Sequence, residues 1–227
     1  MRFDEKRVLV TGASRGIGRA VALQFAGAGA RVAVHYQTNQ SAAETTLAEL
    51  PGTGHTLCAG DVADPDAVSQ LVTKTVTDLG GLDILVNNAG IFEAHPVDEV
   101  SYEDWQHHWQ RTLTVNLTGP ANLCWHAVQH MRQSGGGRIV NVSSRGAFRG
   151  EPRCPAYGAS KAGLNALTQS LAQQLAPLGI FVGAVAPGFV ATDMASTVLE
   201  GPSGDAVRCQ SPLGRGAKPD EVAHAGL

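Results

Sequence analysis

A serine pair, a tyrosine and a lysine in the second half of the chain have residue types and spacing suited to proton transfer. Ser143 and Ser144 precede Tyr157, and Lys161 follows that tyrosine by four residues, which places Tyr157 and Lys161 on one face of a helix. A phenol with a pKa near ~10 is a poor acid or base at neutral pH, but a neighbouring ammonium group favours its phenolate form. A serine hydroxyl at the same point can polarise a carbonyl oxygen. The group can therefore exchange a proton with a substrate oxygen, although Tyr-x-x-x-Lys also occurs by chance in many helices.

A glycine-rich loop near the amino terminus has the order expected of a phosphate site. Residues Thr11–Gly18 follow an apolar run, Arg7–Val10, and lead into a helical pattern. Gly12, Gly16 and Gly18 permit positive φ angles and close backbone approach, while a helix N-terminus offers N–H groups to an anion. Their GxxxGxG spacing differs from the GxGxxG fingerprint, and turn or packing glycines would look the same. The position between a strand and a helix favours a dinucleotide pyrophosphate.

The end of the second predicted strand bears on which dinucleotide binds. Sites selective for NAD commonly place a carboxylate there, where it binds the ribose 2′-hydroxyl. Here the residues are His35, Tyr36, Gln37, Thr38 and Asn39. Since a carboxylate would repel a 2′-phosphate, its absence, together with the cation of Arg15 in the glycine loop, favours NADP over NAD. Ordinary strand-end residues remain the alternative interpretation of His35 and Tyr36.

A parallel sheet is needed to bring these residues together, and the sequence predicts one. Short β-branched runs alternate with stretches of helical period, which is typical of an α/β protein with a doubly wound, Rossmann-like parallel sheet and helices on both faces. The predicted strands are Arg7–Val10, Arg31–His35, His55–Ala59, Leu82–Val86, Gly137–Val142 and Ile180–Ala186. The predicted helices are Gly16–Ala28, Ser41–Leu50, Pro65–Leu79, a broken Ser101–Gln133, and Pro155–Ala176. Such sheets bind ligands at the carboxyl ends of their strands.

Composition limits the possible classes of function. The 227 residues show no linker, repeat or change of composition, and we interpret residues 1–227 as one dinucleotide-binding domain. With 17 basic and 20 acidic residues, neither nucleic acid nor an anionic membrane is an expected partner. Because the sequence has neither a secretory signal pattern nor ~18 consecutive apolar residues, we expect a cytoplasmic protein. The four cysteines lack zinc-site spacing, and no metal site is predicted.

With these and further motifs, the chain resembles the short-chain dehydrogenase/reductase family, particularly its 3-oxoacyl-acyl-carrier-protein reductase type. The motifs that carry the resemblance are Thr11–Gly18, Asp61-Val62, Asn87–Gly90, Asn116, Ser144, Tyr157–Lys161, Pro187-Gly188 and Thr192. They follow the family's order along almost the whole chain. The resemblance implies a nicotinamide dinucleotide cofactor and a small-molecule carbonyl or alcohol substrate.

The resemblance also implies a role for each matching residue. Tyr157 is expected to exchange the proton with the substrate oxygen and Ser144 to position that oxygen. The family's 13-residue spacing before the tyrosine selects Ser144 over Ser143. Lys161 is expected to lower the tyrosine pKa and hold the nicotinamide ribose, and Asn116 to anchor a water-mediated proton relay. The predicted cofactor-binding residues are Gly12, Ser14, Arg15, Gly16, Ile17, Gly18, Tyr36, Gln37, Asp61, Val62, Asn88, Ala89, Gly90, Tyr157, Lys161, Pro187, Gly188 and Thr192.

Two functions of different class follow from these motifs. The first is an NADPH-linked oxidoreductase that interconverts a ketone or 3-oxoacyl carbonyl and a secondary alcohol. The alternative is a non-catalytic dinucleotide-binding or sensor module with the same fold. A sensor keeps the glycine loop but has no need of the proton-transfer groups, so the complete set of Asn116, Ser144, Tyr157 and Lys161 favours the enzyme.

Assembly and the carboxyl terminus give two further expectations. Family members continue beyond the position of Leu227 to a seventh strand, which we expect to be absent from this chain. They also pair two long helices to form dimers, and a second interface, built largely by the seventh strand and the tail, makes tetramers. The corresponding helices here carry leucines that we expect at the surface, namely Leu117, Leu123, Leu164, Leu167 and Leu171. We therefore expect a homo-oligomer.

Overall fold

Six parallel strands form one sheet in residues 2–192 and 204–225, the part of the chain that the computed structural model describes. They are β1 (Arg7–Val10), β2 (Arg31–Tyr36), β3 (Thr56–Ala59), β4 (Ile84–Asn87), β5 (Gly137–Val142) and β6 (Ile180–Val185). Their spatial order is β3-β2-β1-β4-β5-β6. The order reverses between β1 and β4, and at such a switch point a crevice opens beyond the carboxyl ends of the strands. The predicted doubly wound, Rossmann-like α/β fold is confirmed.

Helices cover both faces of this sheet. They are α1 (Gly16–Gly27), α2 (Gln40–Glu49), α3 (Pro65–Leu79), α4 (Tyr102–Leu113), α5 (Gly119–Gln133), α6 (Gly146–Arg149), α7 (Pro155–Leu175), α8 (Gly204–Arg208) and α9 (Pro219–Ala225). Successive side chains of a strand point to opposite faces. Val8 and Val10 accordingly pack in one core cluster with residues of α1 and α2, while Leu9 packs in another with residues of α3 and α5. Burial on both sides explains the nearly continuous apolar runs in the sequence.

The long helical pattern before β5 is broken, as predicted, and the structure shows that the break is a π-helical segment. Residues Thr114–Thr118 form this segment between α4 and α5. Pro120, in the first turn of α5, has no N–H and cannot donate the α-helical hydrogen bond to the carbonyl oxygen of Asn116. The wider π-turn accommodates that defect, and π-turns are frequent at functional sites. Asn116 lies inside the segment and is completely buried.

Two of the leucines expected at a subunit surface lie in the interior instead. Leu123 and Leu164 are each only 1% exposed, and Leu123 belongs to the core cluster that includes residues of α3. The prediction was wrong for this pair, because other parts of the folded chain already cover both side chains. The large apolar side chain that α5 does expose is Trp125, at 62%. The described part of the chain contains no seventh strand and no helix long and apolar enough to cross a membrane.

Candidate active site

A cleft of about 680 Å³ opens at the carboxyl ends of the central strands, within the usual size range of small-ligand sites. The predicted residues that line it are Gly12, Ser14, Arg15, Gly16, Ile17, Tyr36, Gln37, Asp61, Val62, Asn88, Ala89, Gly90, Ser144, Tyr157, Lys161, Pro187, Gly188 and Thr192. Gly18 and Asn116 lie just behind its wall, against Gly12 and Gly90 respectively. The fold therefore gathers the whole predicted set around one cavity.

The glycine loop is shaped to accept a phosphate group. Gly12 and Gly16 have φ angles of 63° and 56°, which other residues rarely adopt. A Cβ atom at Gly18 would lie 2.3 Å from the carbonyl oxygen of Gly12, so helix α1 approaches the loop this closely only with glycine there. The N-cap residue Arg15 gives no side-chain cap to α1, and first-turn N–H groups of a helix bind anions. The pyrophosphate of a dinucleotide fits this cradle.

Side chains from β2 and from the turn after β4 hold the glycine loop in place. Asn88 donates from Nδ2 to the carbonyl oxygen of Thr11 at 2.8 Å, and its backbone N–H donates to Thr11 Oγ1 at 2.9 Å. His35 Nδ1 accepts a hydrogen bond from the Gly12 N–H at 3.0 Å. Burial lowers the pKa of His35, which keeps the imidazole in the neutral form that can accept this bond. His35 is thus more than a strand-end residue, and no local spacing signals its role.

The end of β2 forms one corner of the cleft, lined by Tyr36, Gln37, Thr38 and Asn39, and Arg15 lines the same cleft. Asn39 also caps helix α2, because its Oδ1 accepts the Ala42 N–H at 3.0 Å. The side chains at this corner are neutral, as the sequence indicated. Asp61 lines the cleft after β3, where its carboxylate accepts the N–H of Ala63 at 2.9 Å.

Residues after β6 close the opposite side of the cleft. The carbonyl oxygen of Pro187 accepts the backbone N–H of Arg145 at 2.9 Å, which joins this segment to the residue after Ser144. Thr192 packs against the glycine loop, since a Cβ atom at Gly16 would lie 3.2 Å from its methyl carbon. The segment from Pro187 to Thr192 therefore contacts both the residues after Ser144 and the glycine loop.

Ser144, Tyr157 and Lys161 meet where β5 ends and α7 begins. The Ser144 hydroxyl accepts the backbone N–H of Gly146 at 3.1 Å and lies close enough to the Tyr157 phenol to lower its pKa. The neighbouring Ser143 hydroxyl instead donates to the carbonyl oxygen of Lys161 at 3.4 Å. Lys161 Nζ donates to the carbonyl oxygen of Val142 at 2.8 Å and lies 5.7 Å from the centroid of the Tyr157 ring. Of the two serines, Ser144 is the one that faces the phenol.

The electrostatics of this group differ from the expectation for Lys161. Burial raises the pKa of Tyr157 above its ordinary value, the nearby Ser144 hydroxyl acts in the opposite direction, and the charge of Glu151 adds to the rise. Burial also lowers the pKa of Lys161 to about 8. Burial is thus the largest influence on both groups, because both are taken out of water.

Asn116 connects the π-helical segment to the same group. Its Nδ2 donates to the carbonyl oxygen of Ile91 at 2.9 Å, and its Oδ1 accepts the Ile91 N–H at the same distance. A Cβ atom at Gly90 would lie 3.1 Å from Asn116 Oδ1 and 3.6 Å from Lys161 Nζ. Glycine at position 90 therefore lets the amide and the ammonium approach the cleft from behind the same turn.

Sequence reasoning missed three residues beside Tyr157. The ring of Phe92 meets the Tyr157 ring edge-on, with centroids 4.8 Å apart. His95 is completely buried and bonded to the first turn of α7. Glu151 lines the cleft six residues before the tyrosine. Their positions close to predicted motifs were the only signal in the sequence. Loop packing, and not a regular spacing, brings the three residues to the site.

Comparison with known proteins identifies the family. A family model described as short chain dehydrogenase matches residues 6–203. The chain belongs to the short-chain dehydrogenase/reductase family. It is 38% identical to a D-threitol dehydrogenase of Mycolicibacterium smegmatis, over 100% of this chain and 86% of that protein. It is 40% identical to a 3-oxoacyl-[acyl-carrier-protein] reductase of Synechocystis, over 95% of this chain and 85% of that protein.

A solved structure supports the same assignment. A short chain dehydrogenase from Burkholderia cenocepacia, crystallised in complex with NADP, has a TM-score of 0.88 and 39% identity to this chain. The similarity covers 99% of this chain and 90% of the other. As a member of this family, the protein is an oxidoreductase of the nicotinamide-dinucleotide type.

Proposed function

We propose that the protein is an NADP-preferring oxidoreductase that interconverts a small carbonyl compound and the corresponding secondary alcohol. The relatives named above include a D-threitol dehydrogenase and a 3-oxoacyl-[acyl-carrier-protein] reductase, names that describe the two directions of this class of reaction. The observation that carries the proposal is that Ser144, Tyr157 and the buried Lys161 line the same cleft as the glycine loop.

The residues divide the chemistry among them. The bound dinucleotide supplies or accepts the hydride. Ser144 donates a hydrogen bond to the substrate oxygen, and Tyr157 gives that oxygen a proton during reduction or removes one during oxidation. Lys161 places a positive charge behind the phenol, which favours the phenolate when the substrate releases its proton. Asn116 keeps the turn at Gly90 and Ile91 in place through its two hydrogen bonds.

The preference for NADP has two supports. The end of β2 has no carboxylate to repel a 2′-phosphate, and Arg15 provides a cation in the same cleft. The structurally similar protein from Burkholderia cenocepacia was crystallised with NADP. We place Arg15, Tyr36 and Gln37 around the 2′-phosphate and the first turn of α1 around the pyrophosphate.

A direct assay tests the proposal. The purified protein is mixed with NADPH and a panel of simple ketones, hydroxyketones, steroids and 3-oxoacyl thioesters, and consumption of NADPH is followed. We expect turnover with at least one carbonyl class and its loss in Tyr157→Phe. Tight binding of NADPH without turnover of any panel member would favour the non-catalytic module instead.

A further inference from the structure

Glu151 is a carboxylate in the cleft for which the reaction described above has no use. It follows α6 and lines the cleft with Tyr157, half-buried in the protein. Its side chain lies over Gly146, where a Cβ atom would come within 2.7 Å of Glu151 Cγ and 2.8 Å of Oε1. Only glycine at position 146 leaves room for the carboxylate in this position.

This carboxylate has no hydrogen bond or ion pair with any residue in the ranges that the structure describes. The two nearby cations have other partners: Arg145 lies over the Phe189 ring at 4.1 Å and bonds Gln210, and Arg149 donates to the same Gln210 side chain at 3.0 Å. Burial raises the pKa of Glu151, as expected of a carboxylate with incomplete solvation. A polar group in this condition normally receives its hydrogen bonds from a ligand or from water.

The charges around the cleft narrow the class of ligand. A cationic group would approach Glu151 past Arg111 and Arg145, which line the same cleft. An anionic group would be repelled by Glu151 itself, and an apolar acyl chain would remove its water without replacing the hydrogen bonds. A neutral hydroxyl group meets none of these penalties and can donate to the carboxylate.

We propose that Glu151 determines substrate specificity by accepting a hydrogen bond from a hydroxyl group of the substrate close to its reacting carbon. The substrate class is then the small hydroxylated ketones and the polyols formed from them, rather than 3-oxoacyl thioesters. This inference rests on the proposed carbonyl and alcohol chemistry. It adds the identity of the group that selects among carbonyl compounds.

The test compares a matched pair of substrates, hydroxyacetone and acetone, which differ by one hydroxyl group. The quantity measured is the ratio of their kcat/KM values with NADPH, so that intrinsic reactivity cancels when enzymes are compared. The enzymes are the parent, Glu151→Leu, the isosteric Glu151→Gln, and Glu103→Gln as a control at an exposed carboxylate of α4.

We expect Glu151→Leu to lower the ratio roughly 10- to 100-fold, the range of one charge-assisted hydrogen bond. Glu151→Gln should lower it less, because its amide oxygen still accepts, and Glu103→Gln should leave it unchanged. If Glu151→Leu does not fold, the smaller decrease in Glu151→Gln decides the question.

Two results would overturn the inference while leaving the proposed function intact. One is an unchanged ratio in the Glu151 variants, whether neither ketone or both ketones lose activity equally. The other is a parent enzyme that reduces a 3-oxoacyl thioester in preference to hydroxyacetone. A parent enzyme that binds NADPH and reduces no carbonyl at all would overturn the proposed function itself, and this inference with it.

Discussion

The Nε2 atom of His95 accepts a hydrogen bond from the backbone N–H of Ala156, the residue before Tyr157, at 3.1 Å. The other ring nitrogen, Nδ1, lies 2.8 Å from the carbonyl oxygen of Glu93 and must therefore carry the proton. The backbone N–H of His95 also donates to the carbonyl oxygen of Arg153. Since the N-cap residue of α7 provides no side-chain cap, the distant histidine satisfies a first-turn N–H instead. The loop after β4 is thereby joined to the helix that positions the phenol.

Replacing His95 by phenylalanine keeps an aromatic ring of similar volume but leaves the Ala156 N–H without an acceptor. We expect the free energy of unfolding to fall by about 1–3 kcal/mol, the cost of a buried unsatisfied polar group, and kcat to fall more than the affinity for NADPH. Urea denaturation and steady-state kinetics measure both. His95→Gln, whose amide oxygen can accept, should recover part of each loss, and the exposed His107→Phe should lose neither. Equal stability of His95→Phe and the parent would contradict the positioning role.

Tyr157→Phe removes the phenolic oxygen and keeps the ring that packs against Phe92. The loss of a proton-transfer group in the transition state should lower kcat by about 10²- to 10⁴-fold. The dissociation constant for NADPH should change by no more than a few-fold, because the remaining cofactor contacts stay in place. Steady-state turnover assays measure kcat, and a fluorescence titration with NADPH measures the dissociation constant. A variant that keeps more than about a tenth of the parent kcat would rule out Tyr157 as the proton donor.

The stability of the folded protein should depend on pH because Lys161 is buried. Burial lowers its pKa from 10.5 to about 8, so between these two values the unfolded chain holds the proton more tightly than the folded protein. The free energy of unfolding must therefore rise with pH through this window, by about 3 kcal/mol in total at ~1.4 kcal/mol per pH unit. Below the window the ammonium is charged in both states, and its full burial cost is present.

The measurement is a difference between the parent and Lys161→Met, in which every other titrating group cancels. Urea denaturation at about pH 7, 8, 9 and 10 gives the two free energies of unfolding. The value for the parent minus that for the variant should increase steadily with pH. Lys6→Met, at an exposed lysine, serves as the control. A difference that is flat, or that falls with pH, would show that Lys161 does not titrate as a buried amine.

Much of the sheet could be predicted from apolar runs. The predicted bounds of β4 were wrong, and a pair of asparagine side chains explains the error at its carboxyl end. The predicted bounds of β1 and β5 match the structure residue for residue, whereas β4 was placed at Leu82–Val86 and lies at Ile84–Asn87. Asparagine is disfavoured in strands, so the pattern ended the strand before it. In the structure Asn87 pairs in register with Asn141 of β5 and donates to its Oδ1 at 2.9 Å. A cross-strand partner accepts a hydrogen bond from the buried amide nitrogen, and such a partner is invisible along the sequence.

The candidate site divides in the same way between local and long-range features. The glycine loop and the Tyr157–Lys161 pair depend on spacing within one turn or one helix, which the sequence records directly. The contact of His35 with Gly12, the cap from His95 and the placement of Glu151 depend on loops folding against distant segments. No periodicity encodes those contacts, and they include the residues that we expect to position the tyrosine and select the substrate.

Cofactor choice gives the final prediction, since the end of β2 has neutral side chains where a carboxylate would select NAD. Tyr36 is the last residue of β2 and lines the cleft, so Tyr36→Asp places a negative charge where the 2′-phosphate is expected. We expect the ratio of kcat/KM for NADPH to that for NADH to fall by about 10- to 100-fold, mainly through repulsion of the phosphate. Tyr36→Asn introduces a side chain of the same size as aspartate but without the charge, and it should cause only a small part of this change.

The ratio is measured for all three enzymes at low ionic strength and again at high salt, where screening should weaken the effect of the aspartate. A parent enzyme that uses both dinucleotides equally well would remove the basis for an NADP site at this corner, and equal changes in the two variants would show that the tyrosine ring, not charge, sets the preference.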